Sequence, residues 1–300
     1  MTEDSQRVRW VSVRRMEFIE FRLLWEGRVN RPDIAKAFNL SVQQASVVLA
    51  AYERAAPTNI FYDRNAKTFV PGPAFTPLFL REHADRQLLQ LAAIENGWIE
   101  KEDTWFGALP PAGIVPVPPR RVPNDVMRAL LTAIRTGAEI KVEYQSMSRK
   151  DASWRWIGPH ALGYDGVRWH ARAWCNTHRQ FRDFVLSRIQ ATGEIRPSKI
   201  SHQADRCWHE QVAIILAPNP DLPDGAQRAI AKEYRMRRGQ MTVSTRAAMA
   251  FYFIQHLNLD IPNLAPSRRQ IIIVNKDEVD NAVRQAQAAT EEKLRAIGGQ

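Results

Sequence analysis

Six of the chain's 18 prolines fall within residues 107–123, and this density excludes a regular helix from the segment. Apolar residues follow a helical period before the segment, and β-type alternation appears after it. A chain of 300 residues has the length of two or three domains. We therefore predict a multidomain α+β protein. Its expected parts are an N-terminal domain over 1–72, a helical and proline-rich linker over 73–123, and two further domains over 124–200 and 201–300.

The first 72 residues carry the pattern of three helices followed by a hairpin. Apolar spacing predicts helices over residues 14–27, 31–38 and 41–54. The turn Asn39-Leu40 is short, and Ser41 with Gln44 three residues later is typical of a capping box. Two β-like runs follow, over residues 59–62 and 68–70. This order predicts a winged helix-turn-helix domain, in which the second helix of the pair enters the DNA major groove.

The start of the third helix is polar or small, as a groove-facing surface requires. Gln reads adenine through two hydrogen bonds, and the basic residues of a wing contact phosphates. The residues predicted to contact DNA are Ser41, Gln43, Gln44, Ser46, Val47, Arg64 and Lys67. The alternative is a small helical bundle with no relation to DNA, because three-helix units are common.

After the linker, which includes a predicted helix over residues 77–96, the pattern changes from helix to strand. Residues 124–136 read as one more helix, and Gly137 is suited to end it. Strands are predicted over residues 140–144, 154–164, 167–175 and 180–186. Asp165-Gly166 is a tight hairpin signal between two of them. Several short strands with tight turns predict a small barrel or sandwich.

The positive charge is concentrated in the middle of the chain. The formal net charge is +10, and residues 120–210 alone contribute +7 of it. A basic excess commonly indicates a polyanionic partner. Because this excess lies outside the predicted DNA-binding domain, it predicts a second anionic partner in the central domain.

Two strand segments and the turn before them resemble the WYL domain. The resemblance is carried by residues 166–175, 181–184 and 186–189. The tripeptide that names the family is replaced here by Trp169-His170-Ala171. The form Trp-His-x-Arg-Ala-Trp is similar to WYL regulators associated with phage-defence systems of the BREX and CBASS kinds. Those proteins combine a winged helix-turn-helix, a WYL domain and a C-terminal extension, so the resemblance covers nearly the whole chain.

The resemblance implies a small SH3-like or Sm-like β-barrel that binds a nucleic-acid or nucleotide-like effector. His170 and Arg172 are two residues apart on a predicted strand and therefore share a face. The residues predicted to bind the effector are Tyr144, Ser146, Trp169, His170, Arg172, Arg182, Ser187 and Arg188. The alternative for any single arginine is a solvated barrel surface, and core packing is the stronger expectation for Trp169 alone.

Residues 201–300 read as a mixed α/β domain, and the family resemblance implies that this part mediates dimerisation. Strands are predicted over residues 212–216, 241–245 and 271–274, and helices over 224–234, from 246 to 257 and over 276–297. The apolar run 249–257 is a candidate subunit contact or, alternatively, part of the domain's own core.

Several other classes of protein are disfavoured. No apolar run reaches the 18 residues of a membrane span, no secretory signal is visible, and only two cysteines are present, so we expect a cytoplasmic protein. The spacing of Cys175, His178, Cys207 and His209 is not typical of zinc sites, and we expect buried thiols and surface histidines instead. No nucleotide-binding or hydrolase motif is present.

These observations predict a DNA-binding transcriptional regulator that requires no cofactor. We expect a homodimeric repressor that binds a double-stranded operator of a phage-defence operon and is controlled by an effector on the WYL domain. The alternative is a nucleic-acid-processing enzyme, or an accessory to one, that uses the central basic domain. A nuclease should show clustered carboxylates, whereas Asp151, Asp165 and Asp183 are scattered along the sequence.

Overall fold

The computed structural model describes residues 3–81 and 84–298, and the chain forms two compact units that meet in sequence between Pro118 and Pro119. Among its described residues, the first unit contains four α-helices and one hairpin. Its elements are α1 (Glu3–Glu26), α2 (Arg31–Phe38), α3 (Val42–Ala55), β1 (Ile60–Asp63), β2 (Thr68–Pro71) and α4 (Ala84–Glu95). The predicted winged helix-turn-helix order is confirmed, although α1 begins before the predicted residue 14.

The turn between α2 and α3 is tight because Asn39 adopts a left-handed conformation at φ 50°. Asn tolerates this region better than most residues, so it ends α2 without the strain that a β-branched residue would have. A single core then joins α1, α2, α3 and the hairpin. Its fully buried members include Ile19, Leu23, Ile34, Leu49 and Tyr52.

The helix predicted over residues 77–96 begins later, and a buried carboxylate explains the difference. Glu20 is fully buried in α1 and accepts the backbone N–H groups of Leu78, Phe79 and Leu80 at 2.7–2.8 Å. Its Oε1 also accepts the Tyr52 hydroxyl at 3.1 Å. Backbone groups that donate to Glu20 are aimed at α1, and the segment around them is irregular rather than helical.

The second unit begins with α5 (Asn124–Thr136) and a five-stranded antiparallel sheet. The strands are β3 (Ala138–Tyr144), β4 (Ser153–Tyr164), β5 (Trp169–Cys175), β6 (Gln180–Val185) and β7 (Ile189–Pro197). Their order is β6-β5-β4-β3-β7. Within the described residues β6 and β7 are the two ends of this order, so closure into an SH3-like or Sm-like barrel stays a prediction. The strand β7 was not predicted from the sequence.

The core of the central domain lies between α5 and one face of this sheet. Val126, Leu130 and Ala133 of α5 pack against Ile140, Ile157 and other buried strand residues. Strand alternation places these positions on one face. The C-terminal elements cover part of the opposite face of β4, β5 and β6, so β5 is buried on both sides after Trp169.

The C-terminal elements form a small mixed α/β layer. They are α6 (Arg206–His209), β8 (Gln211–Pro218), α7 (Asp224–Glu233), β9 (Met241–Arg246), α8 (Ala247–His256), β10 (Ile271–Ile273) and α9 (Lys276–Gly298). Strands lie at the three predicted segments, and they pair antiparallel in the order β10-β8-β9, which the sequence had not predicted. Across residues 3–81 and 84–298, the search for a helix with the length and apolar character of a membrane span found none.

Candidate functional site

One face of helix α3 packs in the core of the first unit, and the opposite face is exposed. Ala45, Val48, Leu49 and Tyr52 are buried, whereas Gln43 is exposed and Val47 is 67% exposed. Ser41 and Gln44 are also exposed, and Ser46 is half-buried. The structure therefore brings the predicted recognition residues of α3 together at its N-terminal end, which is where such helices contact base edges.

Three of these polar side chains are engaged by the helix itself. Ser41 Oγ accepts the Gln44 N–H at 3.1 Å, and Gln44 Oε1 accepts the Ser41 N–H at 2.9 Å. This is the predicted capping box. Ser46 Oγ donates to the Val42 carbonyl at 2.9 Å. Gln43 has no hydrogen bond of its side chain within the described part of the chain, so it is the glutamine that is free to contact a base.

The hairpin β1–β2 projects two basic side chains. Asp63 Oδ1 accepts the N–H groups of Asn65 and Ala66 at 2.8 and 3.0 Å, which fixes the turn. Lys67 adopts φ 52° and returns the chain to β2. Arg64 and Lys67 are both exposed at this tip. Their placement matches a wing that contacts phosphates.

A small basic pocket lies at one edge of the five-stranded sheet. Its volume is about 170 Å³, and four arginines line it: Arg149, Arg155, Arg182 and Arg188. We call it the arginine pocket. Tyr144, Ser146, Ser148 and His178 contribute to the same lining. Four of the eight predicted effector residues therefore converge here, namely Tyr144, Ser146, Arg182 and Arg188.

Arg155 is the buried member of the arginine pocket. It is 6% exposed, and within the described residues its Nε has no hydrogen-bond partner. One terminal nitrogen donates to Ser153 Oγ at 2.6 Å, and the guanidinium lies 5.3 Å from the Tyr144 ring centroid. Burial lowers the pKa of Arg155 from its ordinary value. A buried cation with an unpaired donor is costly, and an anion in the pocket would offset this cost.

The other predicted effector residues do not reach the arginine pocket. Trp169 is 51% exposed and lies against Tyr164, with ring centroids 5.0 Å apart. Ser187 is not part of the pocket lining. His170 and Arg172 share a face of β5, as predicted, but that face is covered by other parts of the second unit. His170 Nε2 lies 2.8 Å from Asp165 Oδ2, and the His170 ring packs on Tyr252 of α8.

Arg172 is the centre of a buried ion-pair network. Its Nε and one terminal nitrogen donate to the two carboxylate oxygens of Asp205 at 2.7 and 3.0 Å. Its other terminal nitrogen donates to Asp183 at 3.3 Å. Burial by itself raises the pKa of Asp205, but hydrogen bonds from His160 and Arg172 lower it to about 2. Arg172 therefore joins β5 to the segment before α6 rather than presenting a charge to solvent.

Comparison with known proteins identifies each region of the chain. The BrxR transcriptional regulator winged helix-turn-helix domain matches residues 12–93, the WYL domain matches 125–192, and the BrxR transcriptional regulator C-terminal dimerization domain matches 211–279. A protein of Stenotrophomonas maltophilia named DNA-binding transcriptional repressor CapW is 35% identical over 284 residues, which are 94% of this chain and 95% of the relative. The chain belongs to the CapW family. Its Pseudomonas aeruginosa relative, which carries the same name, is 32% identical over 94% of this chain and 95% of its own.

The solved structure of proteasome accessory factor B/C from Arthrobacter aurescens aligns with 94% of this CapW family member and 48% of its own chain. Its sequence identity is 16% and the TM-score is 0.25, a score too low to relate the two folds.

In this CapW family member the expected burial of the cysteine thiols is confirmed. Cys175 and Cys207 are both buried. Cys175 Sγ lies 3.3 Å from His178 Nδ1, whereas His209 Nε2 lies 3.1 Å from the carbonyl of His202. Within residues 3–81 and 84–298, no group of three or more His, Cys, Asp or Glu residues is placed to hold a metal.

Sequence reasoning missed Arg155 and Arg149 as pocket residues. Arg155 is two residues from Ile157 along β4 and therefore shares its face, and Ile157 faces the core. An arginine at an inward-facing position of a strand is the signal that identifies it, since such a residue needs an internal partner. Arg149 lies in the turn after β3, where no periodicity indicates direction.

Proposed function

We propose that this CapW family member is a homodimeric DNA-binding transcriptional repressor that acts in the cytoplasm. The observation that carries the proposal is the exposed face of α3, with Gln43 and Val47 free beside a wing that carries Arg64 and Lys67. Its relatives are named DNA-binding transcriptional repressors, which favours regulation over the nucleic-acid-processing alternative. By family resemblance, the operator lies upstream of a phage-defence operon.

Dimerisation is assigned to the C-terminal elements. The match to a C-terminal dimerization domain over residues 211–279 supports this assignment. Within the candidate run 249–257, Ala250 packs in the domain's own core and Ile254 is also buried, so these two side chains of α8 are not available to a second subunit. Phe251 is 62% exposed and is the apolar side chain of α8 that is available to a second subunit. Two-fold symmetry of the protein then implies a palindromic operator.

Control by an effector is assigned to the arginine pocket. A nucleic-acid or nucleotide-like effector supplies the phosphate groups that arginines bind through paired hydrogen bonds. Occupancy alters repression only if the DNA-competent and DNA-incompetent states bind the effector with different affinity. His170, Arg172, Trp169 and Ser187 are excluded from this proposed site, since the first two hold buried contacts and the others lie outside the lining.

The experiment is footprinting and titration on the DNA that flanks the protein's own gene. We expect a protected palindrome, and Gln43→Ala should cost about 1–3 kcal/mol of operator affinity because one base contact is lost. Gln44→Ala should instead reduce thermal stability, because the capping box is broken. Gln240→Ala, at an exposed turn of the second unit, is the matched control. Unchanged operator affinity in Gln43→Ala would show that α3 is not the recognition helix.

A further inference from the structure

The arginine pocket carries an excess of positive charge that no neighbouring carboxylate neutralises. Within the part of the chain that the structure describes, none of its four arginines forms an ion pair with an acidic side chain. Asp183 is the acidic residue of the lining, but both of its carboxylate oxygens accept hydrogen bonds from residues outside the pocket lining. Its Oδ1 accepts from Arg172 at 3.3 Å and its Oδ2 accepts from the Tyr252 hydroxyl at 3.1 Å. The positive charge of the pocket is therefore available to a ligand.

The donors are arranged around a small volume rather than along a groove. Ser146 and Ser148 place their hydroxyls 2.8 Å apart on one side of the pocket. Arg155 contributes a buried Nε that lacks a partner among the described residues. Together these charged and neutral donors would surround one compact anion. A single nucleic-acid strand that crossed the protein surface would need donors distributed along its path, as in the grooves that bind single-stranded nucleic acids.

The size of the pocket restricts how a phosphate can enter it. At about 170 Å³ it is smaller than the 300–1,000 Å³ typical of pockets for drug-sized molecules. An internal phosphodiester has a chain on both sides and needs two exits, whereas a terminal phosphate needs one. A phosphate monoester also carries roughly −1.5 to −2 charges at pH 7, more than the single charge of a phosphodiester. Both size and charge favour the terminal group.

We propose that the arginine pocket binds a terminal phosphate monoester, with the rest of the ligand extending outward. Arg155 contacts the phosphate from within the pocket, and Arg149, Arg182 and Arg188 surround it. This inference rests on the proposed control by an effector and specifies its chemical class. The shared chemistry could come from a phosphorylated nucleic-acid end or from free inorganic phosphate, and the experiment distinguishes these sources.

The test compares ligands that differ only at the phosphate. Calorimetry on the full chain would use a DNA tetranucleotide with a 5′-phosphate, the same tetranucleotide with a 5′-hydroxyl, and one whose 5′-phosphate carries a methyl ester. Inorganic phosphate is the fourth ligand. We expect the 5′-phosphorylated form to bind at least tenfold more tightly than both the hydroxyl and the methyl ester forms. Inorganic phosphate binding as tightly as the 5′-phosphorylated tetranucleotide would support a terminal phosphate group as the bound part and identify free phosphate as its source.

Substitutions of the pocket arginines test whether the arginine pocket causes the preference for a terminal phosphate. Arg155→Ala and Arg188→Ala should each abolish the tenfold preference, and Arg155→Lys should restore it only in part because lysine lacks the planar fork. Arg238→Ala, an exposed arginine of the C-terminal elements, should retain it. Equal affinity for all three tetranucleotides, or binding of none, would overturn the proposal.

Operator titration of the same variants separates this inference from the proposed function. Intact operator binding with no phosphate preference would reject the terminal-phosphate site and leave the repressor in place. Failure of the unmodified protein to bind any operator would reject the repressor instead, and the calorimetric comparison would still decide the ligand class.

Discussion

Glu20 shows how much of the N-terminal unit depends on one residue. Its carboxylate accepts three consecutive backbone N–H groups and one hydroxyl in a fully buried position. Hydrogen bonds to a charged group contribute more than neutral ones, and donors left unpaired after burial cost about 1–3 kcal/mol each. Glu20 thereby attaches the segment at Leu78–Leu80 to α1 and α3.

We expect Glu20→Ala to lower the free energy of unfolding of the first unit by about 1–3 kcal/mol, since the buried N–H of Leu80 and the partly buried N–H groups of Leu78 and Phe79 lose their acceptor. Urea denaturation of the full chain measures this change. The matched control is Glu53→Ala on α3, for which we expect a change within about 0.5 kcal/mol. A loss below 1 kcal/mol in Glu20→Ala would mean that the segment finds other acceptors.

At the scale of elements, the contact between β5 and the segment before α6 is made by charges rather than by apolar packing alone. Asp205 is fully buried, and Arg172 and His160 both bind it. Removing one partner of a buried ion pair costs about 3–5 kcal/mol, because the other charge stays buried and unpaired. The position of the C-terminal elements against the sheet therefore depends on Arg172.

This contact predicts a dependence of stability on pH. The pKa of Asp205 is about 2 in the folded chain and about 3.9 in an unfolded one, so its contribution is present above about pH 4 and is lost as the pH falls toward 2. Arg172→Met should be less stable than the unmodified protein by about 3–5 kcal/mol at pH 7. The difference should narrow as urea titrations move from pH 5 toward pH 3. Lys199→Met, at an exposed position, is the control, and a difference independent of pH would contradict the assignment.

At the scale of the whole molecule, assembly is expected to depend on an exposed side chain of the C-terminal elements. Phe251 is exposed on α8, while the neighbouring Ala250 contributes to the core. Placing a charge on an apolar subunit contact opposes association, because the charge loses its hydration on burial.

We expect Phe251→Glu to shift the protein from dimer to monomer by at least tenfold in dissociation constant, measured by light scattering over a dilution series. Val167→Glu, an exposed apolar position between β4 and β5 that lies outside residues 211–279, is the matched control. A dimer of unchanged affinity in Phe251→Glu would place the interface elsewhere, and loss of helical circular dichroism would instead assign Phe251 to folding.

Local sequence patterns predicted most of the elements in their order, and also which parts of the chain are helical, extended or basic. The capping box at Ser41, the short turn at Asn39-Leu40 and the prolines of residues 107–123 depend on neighbouring residues, so the sequence predicts them directly. The concentration of charge in residues 120–210 likewise predicted a basic site before its geometry was known. The strand β7 escaped prediction because its polar, exposed residues lack the alternation that marks a half-buried strand.

Which arginines form the pocket depends on contacts between residues that are distant in the sequence. Alternation along β5 places His170 and Arg172 on one face, but it does not show that other elements cover that face. Those elements contribute Asp205 and Tyr252, which contact Arg172 and His170. The predicted ligand surface is therefore a buried contact. Arg155 is the opposite case. It was not predicted as a ligand-binding residue, and the structure shows it as the buried donor of the arginine pocket. The alternation of side chains along a strand is a local property that the sequence shows. The elements that cover each face of the strand are distant in the sequence, so alternation alone does not predict which face becomes buried.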